Sequence, residues 1–113
     1  MLTQIQKDIL TDLIIDNGLI YEKAKSVLSR TNLRAFERLQ SVINYCHALF
    51  IECVYDETND DTDYIENRLV DLLAGIARYR RSYGVGTNIY KVFNSIFDKT
   101  SETFVDFRDT LCK

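Results

Sequence analysis

The apolar positions of this chain recur with the period of an α-helix over most of its length. In the longest such stretch, residues 31–55, they fall on an arc about 140° wide. We therefore predict one long helix there, capped by Thr31 or Asn32. Its centre, between Tyr45 and Ile51, is apolar nearly all the way round, which is typical of a helix contacted by several neighbours or by a partner.

Two shorter helices are predicted before this central helix. Thr3 and Gln6 have the spacing of a capping box, and a helical period follows them. Asn17 and Gly18 indicate a helix end, because glycine readily adopts the left-handed conformation that follows a last helical turn. We expect a second helix after Gly18, with its own apolar face formed by Ile20, Ala24, Val27 and Leu28.

Three further helices are predicted after the central one. Asp63 and Glu66 form a second capping box ahead of an apolar stripe. Gly75 lies in the middle of that helix, where glycine costs about 1 kcal/mol, so we expect another backbone to cross it closely. Thr87 caps the next helix, and a last helix runs from about Ser101. The predicted fold is all-α, a compact bundle of five to six helices packed around the long central helix in a single domain, residues 1–113.

The composition agrees with a helical protein. Proline, which normally punctuates turns and strand edges, is absent. Apolar residues make up 46% and charged residues 27% of the chain, close to the average of globular proteins. No apolar run approaches the ~18 residues of a membrane span, and no basic, then apolar, secretion signal opens the chain. We therefore expect a cytoplasmic protein without a membrane partner.

Few residues point to catalysis, a metal or a cofactor. The three cysteines have no C-x-x-C spacing, which argues against a zinc site or a disulfide framework. Cys46 and Cys53 are predicted to be core residues, and Cys112 an exposed thiol. The single histidine, His47, has no carboxylate one turn away and is expected to be a partly buried core residue rather than a base. We predict a non-enzymatic protein that binds no metal and no cofactor.

Charge is distributed unevenly along the chain. Residues 39–67 contain seven acidic residues and no lysine or arginine, whereas residues 72–97 contain four cations and no acid. The two segments either neutralise each other across a helix hairpin or face solvent and partners. The candidate acidic partner surface consists of Asp56, Glu57, Asp60 and Asp61.

Two functions are consistent with these patterns. The preferred one is a protein–protein interaction module, an inhibitor or adaptor that also self-associates as a homodimer, because the apolar surface exceeds what one chain is expected to bury. Its candidate interaction residues are Tyr45, His47, Ile51, Phe104 and Phe107. The alternative is nucleic-acid or phosphate binding, because cations alternate with aromatic rings ahead of a helix N-terminus. Its candidate residues are Arg78, Arg80, Arg81, Tyr83 and Lys91. The isoelectric point near 5.1 weighs against this alternative.

Overall fold

The fold is an antiparallel bundle of four helices in a computed structural model that describes residues 1–112. The helices are α1 (Gln4–Thr31), α2 (Leu33–Phe50), α3 (Thr62–Arg81) and α4 (Asn88–Asp109). A π-helical turn, Ile51–Tyr55, extends α2, and the described residues form no strand. The all-α class is confirmed, but the described residues form four helices and not the five or six predicted. Because α1 also packs against α4, the helices close into a bundle of 43 × 24 × 17 Å.

α1 runs without interruption through the Asn–Gly pair, so the prediction of two helices there was wrong. Asn17 lies on the same stripe as Leu13 and Leu28 and is itself 0% exposed. Its Nδ2 donates a hydrogen bond to Thr100 Oγ1 on α4, at 3.2 Å. Gly18 keeps a negative φ. Burial of one continuous stripe therefore outweighs the ~1 kcal/mol that a glycine costs inside a helix.

α4 is also continuous where a new helix was predicted near Ser101. Thr100 and Thr103 face the core and are buried. The Thr100 hydroxyl donates to the Ile96 carbonyl at 2.8 Å, so it has a partner one turn back and does not compete with the helix. The helix does begin as predicted, because the hydroxyl of Thr87 accepts a backbone N–H at 3.1 Å.

The predicted central helix, α2 with its π-helical extension, is one of four similar helices, and the other three do not pack around it. Asn32 alone separates α1 from α2 and caps α2, its side chain accepting a backbone N–H at 3.0 Å. The face of α2 that carries Asn44, His47 and Ala48 is exposed. Packing of neighbours around the whole helix was therefore a wrong prediction. Each helix has one apolar stripe to cover, and mutual burial of four stripes leaves every helix an outer face.

The connection between α2 and α3 is organised by Glu52. In the π-helical turn, Asp56 N–H donates to the carbonyl five residues back, at 2.8 Å. The Glu52 carboxylate then accepts hydrogen bonds from Asn59 Nδ2 at 3.1 Å and from the Tyr64 hydroxyl at 3.2 Å. Its backbone carbonyl accepts from the N–H of Thr58 at 2.9 Å. One side chain thus ties the acidic loop to both helices.

The two predicted capping boxes have different outcomes. The one at Thr3 and Gln6 is confirmed, with both reciprocal hydrogen bonds formed. The one at Asp63 and Glu66 is wrong, because Asp61 is the N-cap of α3. Its carboxylate accepts two backbone N–H groups, at 3.0 and 3.3 Å, which is the role that a capping aspartate fulfils in an extended conformation.

Gly18 offers a direct test of the unbroken α1. A Cβ at this position would meet no atom within 4 Å. We expect Gly18→Ala to raise the free energy of unfolding by about 0.5–1 kcal/mol, because alanine loses less backbone entropy in a helix. Urea denaturation followed by circular dichroism measures this. A loss of stability would mean that Gly18 has a left-handed backbone and that the helix ends there.

Candidate functional site

The predicted apolar interaction residues of α2 do not form one surface. Tyr45 faces α3, and its hydroxyl donates to the Arg68 carbonyl at 2.9 Å. Positions two apart on a helix differ by about 200° in direction, so His47 lies on the other flank, where it is exposed. The expectation of a partly buried His47 was wrong. Ile51 is partly buried at the start of the π-helical turn.

The C-terminal phenylalanines Phe104 and Phe107 are covered by other residues of the same chain. Phe107 is 0% exposed and belongs to the core, and Phe104 packs partly buried against it. Phe107 therefore cannot contact a partner, and its assignment as an interaction residue was wrong. The aromatic side chains that suggested a second copy of the chain therefore pack in or against the core of the one chain, while homodimerisation itself stays a prediction.

The predicted acidic surface is partly engaged by the N-terminal segment. The α-ammonium group of Met1 lies 2.7 Å from an oxygen of Asp60 and lowers the pKa of that carboxyl group. Glu57 pairs with Lys7, and Asp61 caps α3. Only Asp56 keeps an exposed carboxylate without one of these roles.

In the predicted cationic cluster, some side chains contact neighbouring residues and others are exposed to solvent. Arg80 donates to Asn94 Oδ1 at 2.9 Å and lies over the Phe97 ring, with 4.2 Å between the guanidinium carbon and the ring centroid. Tyr83 stacks on Phe93, with centroids 5.8 Å apart. The cations that remain exposed on the surface are Arg78, Arg81 and Lys91.

Two arginines of α2 join this cluster, and the sequence reasoning missed them. Arg38 donates to the Tyr83 hydroxyl at 3.2 Å and lies over the Tyr79 ring at 5.3 Å. Arg34, one turn earlier, is exposed. The four-residue spacing of Arg34 and Arg38 was a readable signal, since it places both on one helix face. Only the packing of α2 against α3 brings Arg38 to Tyr79 and Tyr83 and places Arg34 in the same cavity as Tyr79.

The antiparallel topology separates charge along the bundle. Of the three connections between helices, the turn at Asn32 and the turn between α3 and α4 lie at one end, and the connection between α2 and α3 lies at the other. The half of the molecule around these two hairpin turns, residues 19–41 and 74–97, contains nine lysines and arginines and two glutamates. We call it the basic half. The remainder of the chain contains fifteen acids and five cations. The acidic and basic segments therefore do not neutralise each other, because even their nearest charged residues on α3, Glu66 and Arg78, are about 18 Å apart at 1.5 Å per residue.

Ion pairing differs between the two halves. Among the described residues of the basic half, the ion pair is Lys25–Glu22, at 2.7 Å. In the acidic half, Lys99 pairs with Asp16 at 2.9 Å, which raises the pKa of the lysine, and Lys7 also has a carboxylate partner. Six of the nine cations of the basic half are exposed to solvent: Lys23, Arg30, Arg34, Arg78, Arg81 and Lys91.

A groove between α2 and α3 begins in the basic half and continues to Tyr45 and Asp71 in the acidic half. Two adjoining cavities of about 660 and 260 Å³ share Ser41 and Tyr79. We call this the arginine groove, because Arg34 and Arg38 line its outer part and Arg78 its inner part. Its floor includes Val42, Leu72, Gly75 and Ile76.

Gly75 keeps this groove open. The nearest atom to a Cβ built on it is Arg78 Nη2, at 4.0 Å. The predicted close crossing by another backbone was therefore wrong. Opposite Gly75 the small side chain of Ser41 faces the same space, so α2 and α3 leave a channel where two larger residues would meet.

A second groove lies between α1 and α4. Its cavity of about 370 Å³ is lined by Ile20, Ala24 and Val92, with Lys23 and Lys91 among its other lining residues. It also belongs to the basic half. Both open faces of this half therefore combine an apolar floor with cations.

No comparison with known proteins bears on these surfaces. No family model matches the chain, and neither a curated protein nor a solved structure is significantly similar to it.

Residues 1–112 form no helix that is both long enough and apolar enough to cross a membrane. They contain no group of three or more His, Cys, Asp or Glu side chains that could hold a metal ion.

The cysteines provide a chemical test of the burial pattern. Burial raises the pKa of both Cys46 and Cys53 to about 11, and Cys112 is exposed. At neutral pH we expect a disulfide-exchange reagent such as Ellman's reagent to modify one thiol per native chain rapidly and all three only after unfolding, because the thiolate is the reactive form. Rapid reaction of a second thiol in the native protein would contradict the buried positions. Cys112→Ser is the control, which should abolish the rapid phase.

Proposed function

We propose that this protein is a non-enzymatic interaction module that binds an acidic protein partner through its basic half. The observation that carries the proposal is the separation of charge, with nine cations and two acids gathered around the hairpin turns. Arg34, Arg78 and Arg81 are exposed there and form no ion pair among the described residues. Such a field accelerates the approach of an oppositely charged partner and fixes its orientation.

Solvent-exposed cations also serve solubility, and single surface charges contribute little to binding energy. The apolar floors beside these cations favour an interface over a merely solvated surface. Val42, Leu72 and Ile76 reach the bottom of the arginine groove, and Ile20 and Val92 that of the second groove. Protein interfaces typically surround an apolar centre with a polar rim, and arginine is enriched in them.

Nucleic-acid binding at the same arginines is less well supported. Bases bound without sequence preference stack on aromatic rings, but Tyr83 already packs against Phe93 and Arg38. Tyr79 is covered by Arg38, and Tyr90 lies beneath Arg80 at 5.9 Å. The fifteen acids of the other half would also repel an extended polyanion.

A pair of synthetic peptides tests the proposal. The first is an amphipathic helix with leucines on one face and glutamates on its flanks, and in the second every glutamate is replaced by lysine. We expect the acidic peptide alone to bind, with an affinity that falls as salt is added, because screening weakens exposed charge pairs. Fluorescence anisotropy of labelled peptides measures both affinities. Equal binding of the two peptides would refute the proposal.

Charge reversal locates the binding to the basic half. Arg34→Glu should weaken the acidic peptide about tenfold, since it replaces an attraction by a repulsion and changes the binding free energy by about 1–2 kcal/mol. Arg108→Glu is the matched control, because Arg108 is equally an exposed helix residue but lies in the acidic half. The control should bind like the unmodified protein. A comparable loss in both variants would mean that net charge alone governs the affinity.

A further inference from the structure

The most open part of the basic half is the arginine groove. The larger of its two adjoining cavities, about 660 Å³, exceeds the 370 Å³ cavity between α1 and α4, and the smaller one adds about 260 Å³. Along α2 the groove extends from Leu33 to Tyr45, about 18 Å at 1.5 Å per residue. A helix of about 12 residues has this length.

The groove is shaped for a helix lying along two others. A ridge of side chains on one helix packs between neighbouring helices where the facing positions are small. Ser41 and Gly75 are the small residues at this place, and the space above Gly75 contains only the end of the flexible Arg78 side chain within 4.0 Å. The floor beneath is apolar, with Val42 and Leu72 each 4% exposed.

The charges of the groove are ordered along its length. Arg34 and Arg38 line the part near the hairpin turn between α1 and α2, together with Glu37. Arg78 lines the middle and Asp71 the far part. Neither Arg34 nor Arg78 has an ion-pair partner among the described residues. An occupant would therefore place carboxylates at the end near the turn.

We infer that the arginine groove receives one amphipathic helix of an acidic protein partner, with its apolar face over Gly75 and its carboxylates toward Arg34, Arg38 and Arg78. This inference rests on the proposed function and names the form in which the partner binds. A carboxylate near Arg78 would make a charge-assisted hydrogen bond with its guanidinium group. Asp71 favours a cationic or neutral residue at the opposite end of the same helix.

Filling the groove tests the inference without changing charge. Gly75→Leu places a branched side chain in the channel, and Gly18→Leu makes the same substitution in α1, where a Cβ would meet no atom within 4 Å. Both positions are helical, and neither has a positive φ. We expect Gly75→Leu to weaken the acidic leucine–glutamate peptide at least about tenfold and Gly18→Leu to leave its affinity unchanged. Circular dichroism of both variants verifies that the helices are retained.

Amide chemical shifts provide a second measurement that needs no variant. Titration of labelled protein with the acidic peptide should shift the backbone amides of Ser41, Gly75 and Tyr79 most strongly. Shifts concentrated at Ile20, Lys23 and Val92 would overturn the inference in favour of the groove between α1 and α4. A single-stranded oligonucleotide that bound more tightly than the peptide, and equally well to Gly75→Leu, would also overturn it.

The outcomes separate this inference from the proposed function. If Arg34→Glu weakens binding while Gly75→Leu binds like the unmodified protein, the basic half binds the acidic peptide but the groove is not its site. If neither substitution changes the affinity, both the groove and the basic half are excluded. Loss of binding in Gly75→Leu together with full binding in Gly18→Leu supports the groove.

Discussion

The mutual burial of four apolar stripes is the constraint on which the rest of this structure depends. Leu39 of α2, Ile65 and Ile76 of α3 and Phe93 of α4 are all 0% exposed, and none of them could be covered by its own helix. Because transfer of a large apolar side chain out of water is worth about 1.5–3 kcal/mol, alignment of the stripes determines which helices are neighbours. It also requires that successive helices run antiparallel, since the connections between them are short.

The same constraint explains why α1 and α4 continue through residues at which the sequence predicted helix ends. Asn17 and Thr100 are polar residues on buried stripes. The Thr100 hydroxyl donates to the Ile96 carbonyl of its own helix and accepts a hydrogen bond from Asn17 Nδ2 across the interface. This buried polar contact also favours one register of α1 against α4, because a shift along the axis would take the Asn17 amide away from the Thr100 hydroxyl. Gly18 remains helical because the stripe continues beyond it, and the propensity cost of glycine is small in comparison.

Topology, and not composition, creates the surface to which we assign binding. The net charge of the chain is only −3, yet the antiparallel arrangement gathers the cations of four helices around the two hairpin turns. Two sequence-distant groups meet there, Arg34 and Arg38 of α2 and Arg78 of α3. The groove between them exists because Ser41 and Gly75 are small at facing positions. The cationic end of this groove therefore lies in the basic half, while the acidic half contains most of the described ion pairs.

The sequence by itself determined the helical class, the capping residues Thr3 and Thr87, and the burial of Cys46 and Cys53, because capping and helical periodicity are local properties. It narrowed the cap of α2 to Thr31 or Asn32. It also revealed that acidic and basic residues are segregated along the chain. Only the tertiary structure decided that the chain forms four helices, that Phe107 is buried, that His47 is exposed and that Gly75 opens a groove instead of accepting a close crossing. These depend on which stripes face each other, and an apolar or small residue looks the same in the sequence whether a neighbouring helix covers it or leaves it open.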